Sequence, residues 1–327
     1  MTTANSATPL ISVVLPTYNR AHLLGHAIRS VLAQTWHNFE LIVIDDNSPD
    51  ATFDVVHAFV DPRIRYSRNE RNLKLPGGLN RGFALSRGEF LTWTSDDNFY
   101  APDAFARMAA VLATRECDFV YTDYYHFSDL DGAGAPIDVR HVKLPDQLRL
   151  DQANAVGACF MYTRRVYEAV GDYDPELFLV EDYDYWIRVQ KRFRIRHIAE
   201  PLYYFRRHDD ALFCSRYAEV KAADVLVRFK NGLLDERSAV DACAEVIARD
   251  PAELSNAILR SVYRGMKRTS FRLTQAYLRY VPLYIRWRIS GRAAHILRQL
   301  SSHSISFREA KDHLRELMQS VAALQYK

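Results

Sequence analysis

The sequence predicts an α/β fold: a mostly parallel, mixed sheet flanked by helices, with a C-terminal helical extension. Three observations lead there. Short apolar runs rich in β-branched residues alternate with segments of helical spacing, which implies βαβ units. Three of those runs end abruptly in polar clusters. Beyond Ser215 the signal is almost wholly helical, with one break expected at Pro282.

The first run, LISVVLP (10–16), is nearly continuous in apolar residues and reads as a strand buried on both faces. After the polar break at Asn19, Leu23, Leu24, Ala27, Ile28, Val31 and Leu32 recur at helical spacing. FELIVIDD (39–46) is a second buried strand ending in two carboxylates. SPDATFDVVHAFV follows as a helix with Ser48 as its expected N-cap. IRYSR (64–68) is a short strand, Pro76, Gly77 and Gly78 form a loop, and LNRGFALS is a helix. FLTW (90–93) is a third buried strand, and it runs into Asp96 and Asp97. Further on, AVGACFMYTRRVYEAVGDYD predicts a strand and a short helix, VEDYDYWIRVQKRF an amphipathic helix, and RIRHIAEPLYYFRRH one or two strands. The expected division is a catalytic domain over 1–215 and a helical region over 216–327.

Composition narrows the function. The 327 residues are 48% hydrophobic and 25% charged, which suits a sizeable core, and the net charge of +3 is too small to argue for nucleic acid. The four cysteines, Cys117, Cys159, Cys214 and Cys243, are widely spaced and fit reduced thiols of a cytosolic protein. No apolar run reaches the 18 or so residues that span a bilayer, and the first residues lack the pattern of a signal peptide. The expected location is therefore cytoplasmic, at most peripheral on the inner face of the membrane. One stretch stands apart. Between Glu253 and Glu309 there is no acidic residue, while arginines recur from Arg260 to Arg308. Over 259–298 they mix with aromatic and aliphatic residues at helical spacing, as a basic amphipathic helix on an anionic membrane would. A helical subdomain, or the interface of a homo-oligomer, reads the same way.

In a parallel sheet, ligands bind at the carboxyl ends of the strands. Thr17-Tyr18-Asn19, Asp45-Asp46-Asn47 and Asp96-Asp97-Asn98 all stand at such ends, so one edge is the expected site. Adjacent carboxylates repel and resist desolvation, and a hard divalent cation with oxygen ligands would offset both. Either could instead cap the helix that follows or simply be solvated. Asp46 could accept a hydrogen bond from a nucleobase imide, or merely shape a turn. Tyr18 could stack on a base or pack. Glu181, Asp182 and Asp184 exceed what a helix start needs from the macrodipole, and one could serve as general base towards a hydroxyl. His208 could join a metal or a diphosphate, and Lys74 or Arg71 could neutralise phosphate charge; a solvated cation is the plain alternative.

The stretches SVVLPTYNR, QTWHNFELIVIDDNSPD, GFALSRGEFLTWTSDDNFYAPDAF, GACFMYTRRVYEAVGDYDPELFLVEDYDYWIRV and PLYYFRRH together resemble the family 2 glycosyltransferases, which have the GT-A fold. The SDDN form is similar to the nucleotide-diphospho-sugar transferases of bacterial surface polysaccharide synthesis. The resemblance implies an inverting transfer from a nucleoside-diphosphate sugar, UDP or dTDP favoured, to a glycan or lipid-linked acceptor hydroxyl. It implies Mn²⁺ or Mg²⁺ at Asp97, with His208 near the metal and Asp96 near ribose and metal. Pro16, Thr17, Tyr18 and Asp46 would line the base pocket. Asp182 would be the catalytic base, with Glu181 orienting the acceptor, whose other contacts come from loops such as 123–151. One departure stands out: Leu79 occupies a position where the family often has arginine, and Lys74 or Arg71 would supply that charge. A metal-dependent nucleotidyltransferase and a non-catalytic sugar-nucleotide-binding scaffold are the rival classes.

Overall fold

The computed structural model describes residues 8–208 and 217–235, together with isolated positions further on. The chain divides into two compact units, 1–209 and 210–327. The basic stretch 259–298, Cys214, Cys243 and the break expected at Pro282 lie outside the described residues, apart from isolated positions. In the second unit, one helix, α7 (Tyr217–Lys230), is described.

The first unit is a nine-stranded sheet covered by helices. Its strands are β1 (Ile11–Thr17), β2 (Phe39–Asp45), β3 (Ile64–Arg68), β4 (Phe90–Trp93), β5 (Phe99–Tyr100), β6 (Phe119–Phe127), β7 (Arg140–Val142), β8 (Phe160–Thr163) and β9 (Ile195–Arg206). They run in the order β3-β2-β1-β4-β8-β6-β9-β5, with β7 beside β6. The pairs among β3, β2, β1 and β4 are parallel. β8 is antiparallel to both β4 and β6, and β6 is parallel to β9. The carboxyl ends of β1, β2, β3, β4, β6 and β9 therefore share one edge.

β1 and β2 are buried along their whole length, as continuous apolar runs demand. Their alternate residues face opposite layers. Ile11, Val13, Leu15, Leu41 and Val43 pack with Leu24, Ala27, Ile28 and Val31 of α1 (Ala21–Leu32) and with Phe105, Met108 and Leu112 of α4 (Ala104–Ala113). On the other side, Val14 meets α3 (Lys74–Leu85) so closely that a Cβ on Gly82 would lie 2.3 Å from Val14 Cγ1. Only glycine fits at that helix–sheet contact. Leu79, the position that departs from the family pattern, is fully buried.

Several local expectations are corrected. Pro76, Gly77 and Gly78 lie in the opening turns of α3 rather than in a loop, with Pro76 among the first four residues, where proline's missing N–H is not needed. Ser48 does not cap α2 (Thr52–His57). Its hydroxyl accepts from Asn19 N at 3.0 Å, and it is Asp50 that accepts from Thr52 N at 3.2 Å. The short helix α5 (Arg164–Val170) is followed by α6 (Glu181–Gln190), which is not amphipathic but buried nearly all round, with Trp186 4.5 Å from Phe160 and Tyr185 stacked on Tyr173 at 4.2 Å. RIRHIAEPLYYFRRH does form a strand, the single β9, whose register against β6 shifts at Asp123. Asp123 itself lies inside β6 rather than in an acceptor loop. It is buried and accepts from His141 and His197, each at 2.8 Å.

Candidate functional site

The expected edge carries a bonded cluster. Thr17, the last residue of β1, donates from Oγ1 to Asp96 Oδ2 at 2.8 Å. Asp96 and Asp97 follow β4 by a short turn and cap no helix. The first turn of α4 is served instead by Gln34 Oε1, which accepts from Phe105 N at 3.0 Å. Arg20 Nη1 donates to Asp97 Oδ2 at 2.8 Å and reaches Asp96 Oδ1 at 3.4 Å. His208, just past β9, places Nε2 3.2 Å from the same Asp97 oxygen. Three strand ends thus meet at one carboxylate pair, and the Arg20 guanidinium supplies positive charge beside it.

The electrostatics follow from burial. Desolvation, then the Asp97 charge, push Asp96 up to about 7, against the pull of Arg20 and the Thr17 hydroxyl. Burial alone would lower Arg20, but the two carboxylates overcome it and leave its pKa raised.

Asp45 and Asp46 divide their roles. Asp45, fully buried, is consumed by structure: it accepts from Ser48 N at 2.7 Å, Tyr66 Oη at 2.6 Å and Arg68 Nη1 at 3.1 Å. Asp46 accepts at Oδ1 from Asn69 Nδ2 at 2.9 Å and Leu73 N at 2.7 Å. Among the described residues no hydrogen bond ends on its Oδ2, so this oxygen suits a ligand's N–H. Nearby, Pro16 is buried and Tyr18 is 47% exposed. Lys74 and Arg71 are exposed on the Leu73 side, Lys74 with a left-handed backbone (φ 64°).

The three acids of α6 separate as sharply. Asp184 is fully buried and pairs with Arg188 at 2.9 Å, whose other nitrogens bond Val170 and Asp172 carbonyls. Glu181, buried, accepts from Leu179 N at 2.7 Å across a turn in which Leu179 has φ 90°. Asp182 is half-buried; it accepts from Asn154 Nδ2 at 3.0 Å and Tyr183 N at 2.7 Å. Desolvation raises its pKa despite those two donors. A link to the Asp96–Asp97 edge runs through Tyr173, which feels the Asp182 charge and accepts at Oη from Trp93 Nε1, at the end of β4, at 3.1 Å. Asn80 clamps Tyr173 from α3 with a pair of 2.8 Å hydrogen bonds.

The donor chemistry fits a hard divalent cation. Carboxylate oxygens of Asp97 and Asp96 suit Mg²⁺ or Mn²⁺, and an imidazole nitrogen is acceptable to Mn²⁺. Among the described residues no three His, Cys, Asp or Glu side chains gather into a ready cage. The set is therefore open, and substrate oxygens and water would have to complete it. Sequence reasoning missed Arg20, Asn69 and Asn154. Arg20 stood in the open, in SVVLPTYNR, but reads there as an ordinary helix-start residue; nothing in the sequence marks Asn69 or Asn154.

A mixed sheet flanked by helices, with acidic groups at the carboxyl ends of its parallel strands, is the architecture of the GT-A-like transferases. Residues 12–171 match the glycosyl transferase family 2. Among curated relatives, the putative colanic acid biosynthesis glycosyl transferase WcaA of Escherichia coli is 33% identical, over 55% of this chain and 66% of WcaA. A PGL/p-HBAD biosynthesis glycosyltransferase of Mycobacterium tuberculosis is 30% identical, over 56% of this chain and 70% of the relative. An uncharacterized glycosyltransferase of Rickettsia felis is 28% identical, and the match spans 31% of it. The chain belongs to glycosyl transferase family 2. Among solved structures, Staphylococcus aureus TarS 1–349 in complex with UDP-GlcNAc superposes with a TM-score of 0.53 at 17% identity, covering 96% of this chain and 91% of that one. A Pyrobaculum calidifontis mannosyltransferase in complex with GDP-Man and Mn²⁺ gives 0.50 at 16%, covering 98% and 89%.

Proposed function

We propose that the chain transfers a sugar, with inversion, from a nucleoside-diphosphate donor to an acceptor hydroxyl, in bacterial surface polysaccharide or glycolipid synthesis. The observation that carries the reading is the convergence of Thr17, Arg20 and His208 on Asp96 and Asp97 at the carboxyl ends of β1, β4 and β9. Neighbours of the same fold bound to UDP-GlcNAc and to GDP-Man with Mn²⁺ support a nucleotide-sugar donor and a divalent cation. Relatives named for colanic acid and PGL/p-HBAD biosynthesis support a cell-surface glycan or glycolipid product.

Each residue then has a task. Asp46 Oδ2 accepts the base's imide N–H, which favours UDP or dTDP, and Tyr18 lies over the base with Pro16 and Thr17 lining the pocket. Asp96 holds the ribose side, and Asp97 with His208 would hold Mn²⁺ or Mg²⁺. The bound cation supplies charge stabilisation to the departing diphosphate. Lys74 adds positive charge at the same edge. Asp182 accepts the proton of the attacking hydroxyl, its desolvated carboxylate being a stronger base than an exposed one, while Glu181 shapes the acceptor side.

Thermal melts with UDP, dTDP, GDP and CDP, each with and without Mn²⁺, test the reading. One diphosphate should raise the melting temperature in a metal-dependent way, and Asp97→Ala should abolish the shift. Silence from all four would move the reading to a scaffold, and release of pyrophosphate instead of nucleoside diphosphate in turnover would move it to a nucleotidyltransferase.

A further inference from the structure

The positive charge facing Asp96 and Asp97 belongs to a side chain of this protein. Arg20 Nη1 bridges the pair, at 2.8 Å from Asp97 Oδ2 and 3.4 Å from Asp96 Oδ1. The two carboxylates are 9% and 7% exposed, and the arginine 26%. Its backbone is fixed: Arg20 is the residue before α1, and it follows Asn19, whose left-handed conformation (φ 56°) is tied by its amide to the Ser48 hydroxyl. The guanidinium therefore does not reach the pair by chance drift of a surface chain. His208 Nε2 shares the same Asp97 oxygen. A divalent cation binding at Asp97 would meet that oxygen already engaged, and would stand beside a guanidinium of like charge. Two arrangements are then open to an arginine so placed. It can orient the carboxylates for the cation, or it can stand against the cation.

We propose that Arg20 is a resident counter-cation, which holds the Asp96–Asp97 pair when no divalent ion is bound and competes with that ion for it. This rests on the reading of Asp97 as a metal ligand. The geometry favours competition because the shorter bond ends on Asp97 itself, and because two closely spaced cations repel most strongly where water is scarce. Breaking a buried charge pair also leaves the remaining charges uncompensated. The protein without bound cation thus keeps a folded, balanced site, and cation entry is coupled to release of Arg20.

Electron paramagnetic resonance titration of Mn²⁺ alone, without nucleotide, separates the two arrangements by sign. Arg20→Gln should bind Mn²⁺ about tenfold tighter than wild type or more, Arg20→Lys should fall between, and Asp97→Ala should not bind. In melts, Arg20→Gln should start below wild type and gain more from Mn²⁺. If wild type binds and Arg20→Gln binds equally or more weakly, Arg20 is an orienting group and the proposal is overturned while the metal reading survives. If folded Arg20→Gln and wild type both fail to bind, the metal reading and the proposal fall together. Should Arg20→Gln not fold, Arg20→Lys decides: affinity no greater than wild type overturns competition.

Discussion

Replacing Asp182 by Asn changes one oxygen for one nitrogen in a side chain held at both ends. Tyr183 N and Asn154 Nδ2 both donate to the carboxylate. An amide keeps one acceptor, and Asn154 can turn its own carbonyl towards the new NH₂, so the pair survives with at most a modest hydrogen-bond loss, typically about 1 kcal/mol. A lost general base typically lowers turnover by about 10²–10⁴-fold, or about 2.7–5.5 kcal/mol of barrier. Stability should move the other way with pH. Desolvation raises the pKa of Asp182 in the fold, so the folded state holds this proton more tightly than the unfolded one. Ionisation therefore erodes wild-type stability as pH rises from the ordinary Asp range through the folded pKa, and the penalty persists above it. Asp182→Asn removes that penalty. The assay is nucleoside-diphosphate release at saturating donor, beside thermal melts at acid and neutral pH. Turnover should fall at least a hundredfold, the diphosphate-dependent melting shift should stay, and the variant should gain relative to wild type towards neutral pH. Turnover within about threefold of wild type would refute the assignment, and loss of the nucleotide shift would show that Asp182 acts on the donor instead.

Glu40→Gln tests a structural acid at the far end of the strands. Burial would raise Glu40, but Ser12, the Arg87 amide and Arg65 outweigh it and hold it below its usual value, so its stabilisation is present above that value and lost as pH falls through the lower folded pKa. The variant should cost about 1–3 kcal/mol near neutral pH in denaturant unfolding, and the gap to wild type should close in acid. Gly82→Ala forces a Cβ to within 2.3 Å of Val14 Cγ1; overpacking of about 1–3 kcal/mol, less up to about 1 kcal/mol of helix propensity, should lower stability with little change in nucleotide binding. Asn80→Ala cuts both hydrogen bonds that hold Tyr173; kcat should fall by about tenfold while the diphosphate shift is kept, and an equal loss of both would assign Asn80 to the fold alone.

The sheet edge was legible because β1, β2 and β4 are buried on both faces, and such strands cannot hide among polar residues. Their ends show as abrupt changes of composition. β6 was not legible. FVYTDYYHF mixes polar and aromatic residues with neither period, because its register breaks at Asp123 and because that acid is satisfied by His141 and His197. Both partners are remote in the sequence, and a local window sees only a polar loop. The same reason hid Arg20: a cation three residues past a strand comes to face a carboxylate pair only when β4, some seventy residues later, lies beside β1.

Composition also could not sort the acids, and the structure shows why neighbouring carboxylates come to differ. Asp45 and Asp46 are adjacent, yet Asp45 takes a dedicated cation and two further donors, whereas Asp46 takes two neutral donors on one oxygen. Asp184 has Arg188; Asp182, two residues earlier, has an amide side chain and an amide N–H among the described residues. A carboxylate whose oxygens are taken up by a cation has little acceptor capacity left for a ligand. One with neutral donors alone keeps free acceptor capacity, which ligand recognition requires, and at Asp182 desolvation also raises the pKa, which suits proton transfer. Asp96 and Asp97 fall between these cases, balanced by an arginine that a divalent ion could replace. The chemistry of each acid at this edge follows from which donors the fold brings to it.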